Sequence, residues 1–473
     1  MIHIDDSTFI LSHDKVPLFR KEDLTKYKEV YLHYRDSFIN LNQKEELKSK
    51  RNEAIQAKEW NRAKAYNDIL IDLDFLNKEI SCDGRPDYLQ IETTNICNAK
   101  CIMCSHYFSN NKGGSCLGNE TLSNMIDAIQ LSRTISLNGM GEPFISKDVC
   151  DQIDMYAKYG NRLGTNTNLS VLNDRIVSHI RDNFDWLEIS CDGADKEIYE
   201  SVRKNLSFET LKQNLKRLKE ECPNTRKHIA TGIMRQNVNQ MPQMVRLAKD
   251  AGASIITFMT LNSNIIIDNS IDEMNKYPKV LEYFSVKALE EGEKLGVPVV
   301  VPNENMLNRN ITFEDIKDEY EEMKKMPLFK TKEEEKKMLE TAEAVDMYLK
   351  ENDEIQRDTS PSKVKCSGIC DWLLKKSYID LKGNVCMCCR NQSFQLGNVN
   401  ETGNFEKVWN SDFYKKIRSI FYSGYLPEAC LKCGLIERGN LKYLKVDINE
   451  DFYEEPSYKV RQKETLKKIL EEK

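Results

Sequence analysis

The residues best placed for chemistry are three thiols on one short stretch. The segment Ile91-Glu92-Thr93-Thr94-Asn95-Ile96-Cys97-Asn98-Ala99-Lys100-Cys101-Ile102-Met103-Cys104 spaces them Cys-x3-Cys-x2-Cys. Three thiolates on one loop can take three corners of a cubane iron–sulfur cluster. The fourth iron is then open to a small molecule, whereas electron-transfer clusters use four cysteines. Two plainer readings stand beside this one: three buried thiols without metal, or a zinc site completed by His106. A second concentration runs from Cys366 to Cys433 and holds seven of the 15 cysteines. There Cys430-x2-Cys433 is a metal knuckle by spacing, suited to a cluster or a zinc ribbon.

These loops need elements to hold them. The runs Tyr88–Ile91, Thr134–Leu137, Trp186–Ile189, Ile229–Met234 and Ser254–Phe258 are short and apolar. Amphipathic stretches such as Thr121–Leu131 and Met241–Ala251 lie between them. That alternation predicts a parallel sheet with helices outside it, in an open or closed β/α barrel. Active sites of such folds lie at the C-terminal ends of the strands. Before it, Tyr66, Ile69, Leu70, Leu73, Leu76 and Ile80 recur at helical spacing, which predicts one apolar stripe. Few strand signals appear there beyond Thr8-Phe9-Ile10-Leu11. The turn Cys82-Asp83-Gly84-Arg85-Pro86 marks a boundary. The expected division is a helical extension over 1–85, a barrel over 86–310, a Lys/Glu-rich helical connector or lid over 311–365, a Cys-rich module over 366–445 and a tail over 446–473.

Three motifs follow strands in order: Asn138-Gly139-Met140-Gly141-Glu142-Pro143, Thr167-Asn168-Leu169, and Ser190-Cys191-Asp192-Gly193 with Tyr199 and Arg203 beyond it. With the cysteine loop, this series resembles the radical S-adenosylmethionine (SAM) superfamily over residues 87 to about 260. Met140 and Leu169 stand where that family usually has glycine, and Thr165-Asn166 offers a competing register for the second motif. The resemblance implies a partial (β/α)6 TIM-like barrel in an α/β fold. It implies a SAM-binding [4Fe-4S] cluster on Cys97, Cys101 and Cys104. It also implies SAM contacts from Met103, Gly139, Gly141, Glu142, Pro143, Thr167, Asn168, Ser190, Asp192 and Arg203. Glycine permits close backbone approach, carbonyls and the Glu142 carboxylate can accept from an ammonium, and Arg203 can pair with a carboxylate.

The second module contains Cys366, Cys370, a hairpin turn at Lys382-Gly383-Asn384, Cys386, Cys388 and Cys389, then Leu396-Gly397-Asn398-Val399, Trp409, Cys430 and Cys433. A hairpin there would bring Cys370 and Cys388 together. This resembles the small α+β SPASM/Twitch extension of radical SAM enzymes. The resemblance implies one auxiliary [4Fe-4S] cluster on Cys370, Cys388, Cys430 and Cys433, with Cys366, Cys386 and Cys389 as substitutes.

The expected activity is reductive cleavage of SAM to a 5′-deoxyadenosyl radical, which takes a hydrogen atom from a substrate. An auxiliary cluster favours oxidation of a peptide or small molecule. The alternatives are a redox-neutral epimerase with Cys191 or Cys116 as hydrogen donor, and a non-catalytic electron carrier. A flavodoxin or ferredoxin is the expected reductant. The net charge of −6 and the lack of an unbalanced basic block argue against nucleic acid. No run of eighteen or more apolar residues predicts a membrane span. No secretory signal is legible at the start, and clustered, odd-numbered cysteines fit a reducing cytoplasm.

Overall fold

The computed structural model describes residues 41–104, 106, 114–261, 274–326, 331–340, 360–389, 391–431 and 444–446. The strand signal at 8–11, most of the Lys/Glu-rich connector's second half, Cys433 and the tail lie outside the described residues.

In chain order the strands are β1 (Tyr88–Ile91), β2 (Lys100–Cys101), β3 (Thr134–Ser136), β4 (Arg162–Thr167), β5 (Phe184–Ser190), β6 (Arg203–Lys204), β7 (Arg226–Ile233) and β8 (Ile255–Thr260). They continue with β9 (Val299–Val300), β10 (Pro361–Gly368), β11 (Lys376–Ile379), β12 (Asn384–Cys388), β13 (Asn391–Asn398), β14 (Tyr425–Pro427) and β15 (Leu444–Val446). The main sheet runs β13-β12-β11-β1-β3-β4-β5-β7-β8-β9. Neighbours from β11–β1 through β8–β9 are parallel. Helices such as Val149–Lys158, Asp174–Asn183, Phe208–Glu221 and Met241–Asp250 connect successive strands.

The strand order advances steadily, and parallel crossovers are right-handed. Every connecting helix therefore falls on one face of the sheet. Leu163, Leu187, Ile189, Ile229 and Ile256 pack in one core with Ile153, Val177, Leu215 and Val245 of those helices. The opposite face is the lumen of an incomplete barrel. This is the expected α/β architecture.

The Cys-rich module is not a detached lobe. Its β11 lies parallel to β1, with Tyr88 opposite Lys376 and Ile91 opposite Ile379. β11, β12 and β13 thus extend the barrel sheet. The expected hairpin is present. Asp380 Oδ1 accepts from Lys382 N at 2.8 Å and Asn384 N at 2.9 Å, with Gly383 at φ +81°. A small sheet, β14-β10-β15, completes the module.

The helices Leu41–Gln56 and Trp60–Leu76 pack through Leu47, Ala54, Ala63, Tyr66, Leu70 and Leu73. The expected apolar stripe is shorter than its sequence pattern. Leu76 is 70% and Ile80 42% exposed, because the helix ends at Leu76. The following turn is a junction. Trp409 Nε1 donates to Gly84 O at 3.0 Å, Asn410 Oδ1 accepts from Cys82 N at 2.8 Å, and Asp74 accepts from Gly84 N at 2.8 Å. Arg418 lies fully buried against the Trp409 and Tyr414 rings and donates to the carbonyls of Leu373, Ile80 and Trp409. One cation thereby ties three distant segments. Among the described residues no helix is long and apolar enough to cross a membrane.

Candidate active site

The cysteine loop leaves the C-terminal end of β1. Its middle forms a two-residue ribbon, β2 with β6, that sets Cys101 directly opposite Arg203. Cys104 N donates to Cys101 O at 3.1 Å and closes a turn. Cys101 is buried, while Cys97 and Cys104 are half-buried. Burial pushes the Cys101 thiol up to about 12, against the pull of the Arg203 guanidinium. Burial likewise raises Cys97. Arg203 Nη1 lies 3.7 Å from Cys101 Sγ, so a cation is in place to favour the thiolate.

Among the described residues, no three Cys, His, Asp or Glu side chains close into a cage for a single metal ion. A cubane needs wider sulfur spacing, since each thiolate takes a different iron. The donor set is three soft sulfurs on one open loop beside a cation. It fits an iron–sulfur cluster better than zinc with His106.

The strand-end motifs interlock with this loop. Gly141 N donates to Thr94 O at 3.1 Å and Glu142 N to Ile96 O at 2.8 Å. A Cβ at Gly141 would lie 2.4 Å from Thr94 O and 2.5 Å from Ile96 O, so only glycine allows this approach. Glu142 is buried and caps a short 3-10 turn that starts at the buried Pro143. Burial raises its carboxyl, and hydrogen bonds from Thr167, Asn168 and Phe144 oppose the rise. Thr167 Oγ1 donates to Glu142 Oε1 at 2.6 Å, and Asn168 N to Oε2 at 2.7 Å. Asn168 Nδ2 also donates to Asn98 Oδ1 at 3.0 Å. It is therefore Thr167-Asn168 that meets the cysteine loop. Asn166 points to the other side and donates to Glu188. Leu169, in the usual glycine position, is fully buried at φ +54°.

After β5, Asp192 is fully buried. Its Oδ1 accepts from Gly232 N at 2.7 Å and its Oδ2 lies 2.7 Å from Arg203 Nη2. Burial alone would lower the Arg203 pKa, but Asp192 and Cys101 hold it above its ordinary value. Arg203 Nε has no hydrogen-bond partner among the described residues. This leaves a buried donor for a ligand. Met103 and Ser190 are half-buried in the same region. Gly139 lies against Glu92, whose Oε1 accepts from Met140 N at 2.8 Å.

Glu92 was not singled out by the sequence reading. It is buried, raised by burial, and also bonded by Leu381 N near Asp380. It joins the Gly139-Met140 turn to the C-terminal hairpin. Its place directly after β1 was the only signal available. Of the two hydrogen-donor candidates, Cys191 is fully buried with Sγ 3.3 Å from Gly193 O. Burial raises it to about 12. Cys116 is half-buried, 3.5 Å from Thr94 Oγ1. Cys191 is thus closed to solvent, whereas Cys116 is not.

In the second module Trp372, Tyr378 and Cys386 form a small core, and Cys370, Cys388 and Cys389 pack on it. Cys370 and Cys388 thus border the same small core. Cys386 is sealed at 0% exposure, its thiol raised by burial. Cys366, Cys370 and Cys430 line the edge of the main core. Cys370 touches both groups.

Residues 91–248 match the radical SAM superfamily model, and residues 370–434 match that of the SPASM family, an iron–sulfur cluster-binding domain. No curated protein matches the chain significantly. The crystal structure of Streptococcus suis SuiB bound to S-adenosylmethionine is similar at 14% identity, with TM-score 0.51, over 87% of this chain and 86% of that one. A further crystal structure of Streptococcus suis SuiB gives 0.50 at the same identity and coverage. SuiB bound to precursor peptide SuiA gives 0.49 at 14% identity, over 76% of this chain and 72% of that one. At this identity the likeness establishes the fold. Residues 91–248 thus form a radical SAM domain and residues 370–434 a SPASM domain, and the cofactors these domains imply are SAM, the SAM-binding [4Fe-4S] cluster and an auxiliary [4Fe-4S] cluster.

Proposed function

We propose that the protein is a radical SAM oxidoreductase or maturase that oxidises a peptide or small molecule. When bound, the SAM-site cluster supplies the electron that splits SAM into methionine and a 5′-deoxyadenosyl radical. Cys97, Cys101 and Cys104 hold three irons. Gly139 and Gly141 let the backbone approach the SAM amino group, with Glu142 and Pro143 fixing that turn against Thr167 and Asn168. Arg203, braced by Asp192, presents its Nε to the SAM carboxylate. Met103 and Ser190 border the adenosine. Cys370, Cys388, Cys430 and Cys433 hold the auxiliary cluster. A flavodoxin or ferredoxin serves as reductant in the cytoplasm.

The observation that carries this reading is the closed set of contacts among the strand-end motifs. Glu142 binds Thr167 and Asn168, Asn168 binds the cysteine loop, and Arg203 joins Cys101 to Asp192. The sealed position of Cys191 favours oxidation over epimerisation. Peptides are the first substrates to try, since SuiB, whose fold is shared, has been crystallised with a precursor peptide.

The test is anaerobic reconstitution with iron and sulfide, then dithionite and SAM. Wild type should release 5′-deoxyadenosine, and Cys97→Ala, Cys101→Ala and Cys104→Ala should not. Equal release by a cysteine variant, or none by reconstituted wild type with or without peptides, refutes the assignment.

A further inference from the structure

The lumen face of the barrel carries a polar chain that none of the SAM-binding assignments above uses. Asn166 on β4, Glu188 on β5 and His228 on β7 lie side by side in register, and Thr257 of β8 is the diagonal neighbour of His228. Asn166 Nδ2 donates to Glu188 Oε1 at 2.8 Å. His228 Nδ1 lies 3.3 Å from Glu188 Oε2, and His228 Nε2 lies 2.8 Å from Thr257 Oγ1. These side chains alternate with the apolar residues that pack on the helices, so they face the lumen. The face is open beside them: Asn166 is exposed and Met259 is 47% exposed. Other charged groups on this face include Arg226 on β7, Lys376 on β11 opposite Tyr88, and Arg162 on β4, the last paired with Asp185.

A carboxylate on Nδ1 fixes the tautomer that leaves Nε2 as a base. Asn166, holding the other carboxylate oxygen, fixes the carboxylate. The imidazole is mostly withdrawn from bulk water, at 10% side-chain exposure, while Glu188 reaches the opening at 27%. We propose that Glu188 and His228 form the acid–base pair of the active site, His228 Nε2 taking up the proton that the substrate loses on oxidation. This rests on the oxidative reading above. The substrate C–H bond breaks and its hydrogen atom goes to the 5′-deoxyadenosyl radical. The carbon radical then gives one electron to an iron–sulfur acceptor. The neighbouring N–H, O–H or S–H bond breaks, its proton goes to His228, and its electron pair becomes the carbon–heteroatom π bond. Thr257, on Nε2 in the free chain, occupies the place that the substrate donor takes.

The test uses reconstituted holoenzyme and a panel of synthetic peptides with Cys, Ser or Gly at the centre. The readout is oxidised peptide per 5′-deoxyadenosine released. His228→Gln should lower that ratio about tenfold or more. Glu188→Gln should move the acidic limb of its pH profile to lower pH, because the neighbouring carboxylate favours the imidazolium. If wild type oxidises a peptide and His228→Gln keeps the same ratio and pH profile, the pair is not the base, and the oxidative reading stands. If wild type yields only epimerised peptide, no proton is released, and the proposal falls with that reading. A second measurement requires no turnover. The pH midpoint for modification of His228 by diethyl pyrocarbonate, read by mass spectrometry, should fall in Glu188→Gln. An unreactive His228, or identical midpoints, overturns the pairing.

Discussion

Replacing Arg203 by Met separates two roles that one side chain combines. Asp192 has 0% side-chain exposure and Arg203 12%, at 2.7 Å. At an effective dielectric near 20, unit charges at that separation attract by about 6 kcal/mol. Desolvation of both ions cancels part of this. Deleting one partner leaves the other charge buried, at a cost of about 3–5 kcal/mol. The Asp192→Asn/Arg203→Met double variant carries no such charge, and its Oδ1 can still accept from Gly232 N. Its stability should return most of the way to wild type. SAM binding should not return, because the charge-assisted contact proposed for Arg203 with the SAM carboxylate is gone in both. A contact of that kind contributes about 1.5–3 kcal/mol, so the proposal predicts a loss of roughly 10- to 150-fold in Kd. Urea unfolding and anaerobic calorimetric titration of SAM measure the two quantities independently. If Arg203→Met loses under about 1 kcal/mol of stability, the buried pair is not coupled as described. Recovery of SAM affinity in the double variant would mean that Arg203 acts only through Asp192.

Leu169→Gly relieves about 1–2 kcal/mol of left-handed backbone strain but removes a fully buried leucyl group, a loss of about 3–5 kcal/mol. The net should be destabilising, and a rise in the urea midpoint would contradict the packing. Arg418→Leu leaves the carbonyls of Leu373, Ile80 and Trp409 without their donor, at about 1–3 kcal/mol for each one left unsatisfied. Limited proteolysis should then open the Cys82–Pro86 turn first, and an unchanged cleavage pattern counts against that junction. Burial raises Glu92 above its ordinary 4.5, so the folded state binds its proton first as pH falls. Stability from this group is full below the unfolded value and is lost as pH rises through the folded one. Wild type should therefore gain on Glu92→Gln as pH drops from 7 toward 4.5, and a difference that stays flat with pH would show Glu92 to be unperturbed.

The elements and the chemical class were legible because they are written locally. Cysteine spacing, turn residues and the 3.6- and 2-residue periods need only near neighbours in the chain. The positions of Gly139, Gly141 and Arg203 after successive strands place them at one end of the sheet from the sequence alone. Leu76 and Ile80 show the limit of that reading. Their spacing continued the stripe, but the helix had already ended.

The cysteine loop and the order of its companion motifs carried by themselves the resemblance that implies SAM at an open iron. The tertiary structure decided the rest. It paired β11 with β1 across nearly the whole barrel, selected Thr167-Asn168 over Thr165-Asn166, sealed Cys191, and brought Asn166, Glu188, His228 and Thr257 into one chain. Such contacts join residues far apart in sequence. Each exists only once packing has fixed which strand lies beside which, and which face of each strand turns to the lumen.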